Sequence, residues 1–170
     1  MKPLIIIGSA RKQSHTLEFV ETLMAGTEVV IADLLDHTIA PYDYSGHYPP
    51  ADTFQQLVEL MLSYRLVIFA TPVYWYSMSG HMKMFFDRLT DLVTINKPTG
   101  RRLKELPIAL VAVGTDDELP PGFEKPFELT CRYLDMKYLG AVYHSTKHAH
   151  PTAAEEYVIQ AFRKKLSPLS

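Results

Sequence analysis

Ile5-Ile6-Ile7-Gly8-Ser9-Ala10-Arg11-Lys12-Gln13-Ser14-His15-Thr16 is a hydrophobic run that ends abruptly in a small, hydroxyl-rich loop, and an amphipathic helical pattern begins at once. Strand, polar loop and helix in that order point free backbone N–H groups and the positive end of a helix dipole at an anion. The hydroxyls of Ser9, Ser14 and Thr16 and the guanidinium of Arg11 stand where they complete a phosphate cradle. The loop has neither the Gly-Lys-Ser/Thr ending of a P-loop nor the three glycines of a dinucleotide fingerprint. A phosphate held by hydroxyls and amides, without lysine or metal, suits a mononucleotide that stays bound. The competing reading is a plain strand-to-helix turn in which Ser14 only caps the helix.

Outward from this stretch the chain alternates short β-branched runs with helical patterns, the rhythm of a parallel sheet covered by helices on both faces. Strands are expected at residues 4–7, 29–32, 66–70, 108–113 and 137–143, each almost wholly apolar. Phe54, Leu57, Val58, Met61 and Leu62 follow the spacing of one buried helical face, with Asp52 and Gln55 three apart at its start as in a capping box. Thr152-Ala153-Ala154-Glu155 opens the last helix, with Ala154, Tyr157, Val158, Ala161 and Phe162 as its expected stripe. Five strands and five helices fill residues 1–170 as one α/β domain, and a strand order 2-1-3-4-5 brings the loops after Ile7, Ala70 and Val113 to one site.

Composition narrows the function classes. Of 170 residues, 47% are hydrophobic and 21% charged, and the formal net charge of −2 gives no electrostatic reason to expect nucleic acid or an anionic membrane as partner. No apolar run approaches the roughly 20 residues of a membrane span. Residues 4–7 read as a buried strand rather than the core of a signal peptide. The single cysteine, Cys131, forms no internal disulfide, so a cytoplasmic setting is expected, and it reads as a small core residue rather than a nucleophile.

The second loop raises the case for a planar ligand. Thr71-Pro72-Val73-Tyr74-Trp75-Tyr76-Ser77-Met78-Ser79-Gly80 follows a buried strand and carries three consecutive aromatics, including the only tryptophan. Consecutive residues do not all face one core, so some of these rings line a cleft or an interface between subunits. An isoalloxazine suits such a wall, because stacking covers its faces while backbone amides meet its polar edge. FMN is the mononucleotide that the two loops together favour.

Gly8-Ser9-Ala10-Arg11 with Thr16 behind it, and Thr71-Pro72-Val73-Tyr74-Trp75-Tyr76-Ser77-Met78-Ser79-Gly80-His81-Met82-Lys83-Met84-Phe85-Phe86-Asp87-Arg88, resemble the flavodoxin-like NAD(P)H-dependent FMN reductase and multimeric flavodoxin superfamily. Within it the chain is most similar to the oxidoreductases related to iron–sulfur flavoproteins. The resemblance implies a three-layer flavodoxin-like fold. It implies that Ser9, Arg11, Ser14, His15 and Thr16 surround the FMN phosphate, that Pro72, Val73, Tyr74, Trp75, Tyr76 and Ser77 run along the isoalloxazine, and that Gly114 and Thr115 complete the ring pocket. Relatives with a cluster carry cysteines after the second strand. Here Ile39-Ala40-Pro41-Tyr42-Asp43-Tyr44 supplies none, which excludes the cluster on ligand grounds.

The implied activity passes hydride from NADH or NADPH to flavin N5 and then electrons to a small acceptor: a quinone, an azo or nitro compound, or free flavin. No acid–base side chain is required. A homodimer or homotetramer is implied too. The alternatives are a flavodoxin-type electron carrier between proteins and a flavin-free binding protein. Carriers are usually strongly acidic and carry a Thr-x-Thr-Gly-x-Thr loop, both unlike this chain.

Lys83 and Asp87, four apart, read as a surface pair, with Met82, Phe85, Phe86 and Leu89 on the buried side of their helix. His144, His148 and His150 match no compact zinc spacing and read as surface or cleft-edge residues; no metal site is expected. Arg11, Lys12, Arg101 and Arg102 are the cations considered for a dinucleotide 2′-phosphate.

Overall fold

Leu4, Ile5, Ile6 and Ile7 alternate between the two faces of the sheet and are buried on both, as strands of a covered parallel sheet must be. In the computed structural model, which describes residues 2–148 and 150–167, they form β1 (Leu4–Ile7). The further strands are β2 (Val30–Asp33), β3 (Val67–Tyr74), β4 (Ser77–Met78), β5 (Pro107–Gly114) and β6 (Lys137–Ser145). The sheet order is β2-β1-β3-β5-β6, all parallel, with β4 paired antiparallel to β3 off this path.

The helices are α1 (His15–Leu23), α2 (Phe54–Leu62), α3 (Gly80–Arg88), α4 (Asp91–Thr94), α5 (Lys97–Arg101), α6 (Lys125–Tyr133) and α7 (Ala153–Leu166). One core packs Leu4, Ile6, Phe69 and Leu110 against Phe54, Met61, Phe85 and Phe127 of α2, α3 and α6. The other packs Ile5, Ile7, Ile68 and Val111 against Phe19 and Leu23 of α1 and Phe162 of α7. Cys131 lies in the first core, where burial pushes its thiol up to about 12; at that value it is no nucleophile.

The sheet carries one strand more than the sequence predicts, so the expected five strands in the order 2-1-3-4-5 are corrected to six, with β4 inserted. β3 runs to Tyr74 instead of stopping at Ala70, turns at Trp75-Tyr76 and returns as β4. The expected five helices become seven among the described residues, because the chain after α3 breaks into two short helices, α4 and α5, before β5.

The stripe on α7 is also corrected. Tyr157 and Val158 are exposed, whereas Ile159, Phe162 and Leu166 are buried. The capping box forms as expected, Thr152 and Glu155 exchanging bonds. Glu155 then decides the rotation: its Oε1 accepts from the Ser145 N–H (3.0 Å) and stands 3.2 Å from His144 Nδ1, turning that side toward β6. Ile159, Phe162 and Leu166 follow Glu155 at helical spacing on the same side.

At the start of α2 there is no capping box. Thr53 is the N-cap without a side-chain capping bond, its hydroxyl donating to the Thr38 carbonyl, and Asp52 accepts from the Phe54 N–H and turns to Arg88 of α3. Lys83 and Asp87 do form the expected exposed pair.

Candidate functional site

β1, β3 and β5 end together at one edge of the sheet, and the loops that follow them enclose a cavity of about 130 Å³. It is lined by Ser9, Arg11, Ser14, His15, Thr16, Pro72, Val73, Tyr74, Gly114 and Thr115, all expected from the sequence, together with Val113 and Thr146. Val113 reads only as the last residue of its strand, and Thr146 was missed because β6 runs to Ser145 rather than ending at Tyr143. A larger hollow of about 500 Å³, lined among others by Lys97, Arg101 and Tyr133, lies beside the N-terminal ends of β5 and β6 and away from these loops.

The first loop is built to receive an anion. Among the described residues, no protein acceptor takes the backbone N–H groups of residues 9–16. Ser9 and Thr16 are buried, at 3% and 2% exposure, and their hydroxyls have no protein partner yet are not sealed from the cavity. Buried polar groups are rarely left unpaired in this way. Ser14 is the N-cap of α1, its Oγ accepting from the Leu17 N–H at 3.2 Å, so the capping alternative holds for this residue while its O–H remains available. Arg11 is exposed, lines the cavity and has no ion pair among the described residues. Amides, two free hydroxyls, a helix N-terminus and a guanidinium form the donor set that a phosphate dianion requires.

The second loop is fixed to the first by Ser79, which sequence reading passed over. This N-cap of α3 accepts from the Met82 N–H (3.1 Å), donates its hydroxyl to the Gly8 carbonyl (2.5 Å), and donates its N–H to Thr71 Oγ1 (3.1 Å). Gly8 is needed at this junction, since a Cβ there would stand 2.9 Å from Met82 Cβ and 3.1 Å from Met82 N. Ser79→Ala removes a cap and strands two buried polar groups. It is expected to cost about 2 kcal/mol in denaturant titration, with a weaker grip on any ligand of the first loop.

Trp75, Tyr76 and Ser77 do not line the cavity. The register Val73↔Met78 and Tyr74↔Ser77 leaves Trp75 and Tyr76 as the two turn residues, both left-handed (φ 49° and 64°), the backbone of a type I′ hairpin. Their rings are 93% and 71% exposed and Tyr74 is 46% exposed, so a contiguous aromatic surface stands at the lip rather than inside. On the third loop, Tyr143 donates its hydroxyl to the Asp116 carbonyl at 2.8 Å, and a Cβ on Gly114 would stand 2.8 Å from that oxygen.

The three histidines border one hollow but differ in burial. His144 is buried, stacked on Phe19 with ring centroids 4.7 Å apart, whereas His148 and His150 are exposed. No group of three metal-ligating side chains occurs among the described residues, and no helix there is long and apolar enough to cross a membrane.

A cavity between loops at the switch point of a doubly wound sheet, where the connections leave in opposite directions, is the arrangement of flavodoxin-like proteins. Residues 1–151 match the model of the NADPH-dependent FMN reductase family, and the chain belongs to that family. It is accordingly an oxidoreductase with FMN as cofactor and NAD(P)H as co-substrate.

The chain is 28% identical over 153 residues to YwqN of Bacillus subtilis, named as an NAD(P)H-dependent FMN-containing oxidoreductase, covering 84% of this chain and 83% of that one. It is 35% identical over 109 residues to the FMN-dependent NADPH-azoreductase of Staphylococcus aureus, covering 59% of this chain and 58% of that one. Among solved structures, the Trp repressor binding protein from Bacillus subtilis superposes with a TM-score of 0.69 at 25% identity, over 99% of both chains.

Proposed function

We propose that the chain is a reductase of small planar acceptors, quinones, azo or nitro compounds or free flavins, with FMN held by the first loop. The observation that carries this reading is the set of unpartnered N–H groups at residues 9–16 with the hydroxyls of the buried Ser9 and Thr16, which have no protein partner and reach the cavity. Bound there, FMN supplies the redox chemistry, taking hydride at N5 from NAD(P)H and returning the electrons to the acceptor.

The protein's own part is positional. Ser9, Arg11, Ser14, His15 and Thr16 take the phosphate. The cavity has room for a phosphate and the start of a chain, so the ring belongs at its mouth, beside Pro72, Val73, Tyr74, Gly114 and Thr115. Tyr74, Trp75, Tyr76 and Ser77 form the outer wall, where their apolar surface keeps water from one side and offers stacking area to an incoming substrate. Dinucleotide and acceptor take turns at that one open face, which gives ping-pong kinetics. The same reading has the chain acting in the cytoplasm as a single domain over residues 1–170. It assembles as a homodimer or homotetramer, to which the exposed Leu129, Tyr133, Tyr157 and Val158 lend apolar area.

Protein purified without added cofactor is expected to carry flavin absorbance, to bleach within seconds on anaerobic mixing with NADPH, and to recover its colour with a quinone or azo dye. A colourless protein that gains no flavin bands with added FMN overturns the reading, and a coloured protein inert to NADPH makes it a carrier. Trp75→Ala is expected to change acceptor range or flavin affinity while altering stability by less than about 0.5 kcal/mol, since the ring is 93% exposed. Loss of the fold would place Trp75 in a structural role.

A further inference from the structure

A second cavity of about 320 Å³ adjoins the first and shares His15 and Thr146 with it. It lies between α1 and the connection from β6 to α7, and is lined by His15, Glu18, Phe19, Thr22, His144, Thr146, His148, His150 and Pro151, so four imidazoles converge on one hollow. Two of them are oriented by carboxylates: His15 Nδ1 lies 3.0 Å from Glu18 Oε2, and His144 Nδ1 lies 3.2 Å from Glu155 Oε1.

Glu155 is held as an acceptor. Burial alone would raise its carboxyl, but the N–H groups of Ser145 and Thr152 hold it below the usual range. A carboxylate on Nδ1 fixes the orientation of the ring and leaves Nε2 for a ligand. His144 is 9% exposed, yet its Nε2 has no protein partner and is not sealed off, so it opens on the cavity it lines. A buried ring with one nitrogen anchored and the other unpaired is built to meet something.

We propose that this histidine-lined hollow binds the 2′-phosphate of NADPH and selects it over NADH. The assignment rests on dinucleotide-dependent reduction at the neighbouring site. It also answers a question of supply, because the other cations are engaged or elsewhere. Lys12 is bonded to Asp33 and Asp36, Arg102 is paired with Glu59, and Arg101 lines the hollow at the opposite end of the strands. Arg11 stands at the rim of the flavin-phosphate cavity. A phosphate monoester presents oxygens in several directions to the histidine rings that line the hollow, and Thr146 and Thr22 add hydroxyls at the wall. NADH has no group to place there.

The test uses the FMN-loaded protein and the double variant His148→Gln/His150→Gln, two exposed positions whose replacement leaves the packed cores untouched. In steady-state kinetics the NADPH-to-NADH ratio of kcat/KM is expected to fall about tenfold, through KM for NADPH rather than kcat. Titration of wild-type protein with 2′,5′-ADP is expected to shift the imidazole resonances of His144, His148 and His150, with 5′-AMP leaving them in place.

An unchanged ratio, an equal loss with both dinucleotides, or a wild-type protein without preference for NADPH overturns the assignment while leaving the reductase reading intact. Inorganic phosphate that shifts the resonances as 2′,5′-ADP does, without competing with NADPH, makes the hollow a free-phosphate site and overturns it as well. Failure of either dinucleotide to reduce the wild-type protein removes the reductase reading, and this inference falls with it.

Discussion

Alanine at Ser9 and Thr16 together is expected to raise the dissociation constant for FMN by about 30- to 1,000-fold, or roughly 2–4 kcal/mol, with the far-ultraviolet circular dichroism unchanged. The size follows from the burial of these groups. A hydroxyl on the surface trades water for phosphate at little net gain. Ser9 and Thr16 are 3% and 2% exposed and have no protein partner, so under the proposed function each would form a charge-assisted bond in a place with little water. Fold is spared because neither hydroxyl holds a protein atom, whereas Ser14 caps α1 and Ser79 ties two loops together. Flavin fluorescence quenching on titration measures the change; affinity within twofold of wild type would remove the first loop from the site.

Arg88→Met is expected to destabilise the protein by about 3–5 kcal/mol, the usual result of leaving buried charges without their partner. Arg88 is 3% exposed and ties the long loop after β2 to α3. Its guanidinium bonds Asp52 (2.6 and 3.2 Å), Asp91 (2.9 Å) and the Ala40 carbonyl (3.1 Å), and it lies 3.3 Å from the centroid of the Tyr48 ring. Tyr48 in turn donates to Asp91 at 2.9 Å. Adding Asp52→Asn and Asp91→Asn to Arg88→Met is expected to restore more than half of the loss, because the stranded carboxylates are then gone. A single variant as stable as wild type would show the network to be ornamental.

The pH dependence has a definite sign. Burial alone would raise the Asp52 carboxyl, but bonds from Arg88 and from the N–H groups of Ala40 and Phe54 hold it below the usual range. Its contribution is therefore complete above the unfolded value of about 3.9 and is lost as pH falls through the lower folded value. In Arg88→Met the bonds and charge of Arg88 are gone and only the two N–H groups oppose burial, so the depression weakens. The stability gap between wild type and variant, measured by denaturant titration at several pH values, is thus expected to close on acidification below about pH 4.

What the sequence discloses depends on how far apart the cooperating residues lie. The apolar run, the hydroxyl loop and the helix of residues 4–23 are contiguous, so strand, cradle and helix could be read as one object. The three-loop convergence followed from topology, since parallel strands buried on both faces leave few other arrangements. Arg88 escaped notice because a single arginine on a helix is ordinarily solvated, and its partner Asp52 is 36 positions away. The hairpin escaped because Trp-Tyr carries none of the Asn-Gly signature of a type I′ turn. On α7 two apolar stripes of helical spacing competed, and the choice was made by Glu155 bonding to β6, a tertiary contact that periodicity does not contain.

The left-handed pair at Trp75 and Tyr76 bears on any attempt to engineer this molecule. Side chains with a Cβ sit in that region at a cost of about 1–2 kcal/mol per residue, a penalty that asparagine largely escapes and glycine does not incur. Selection for thermal robustness alone would write Asn-Gly at this corner and gain a tougher, quieter scaffold. The natural chain instead keeps two bulky rings there in the open, so its melting temperature has head-room that a redesign can claim only by surrendering whatever those rings touch.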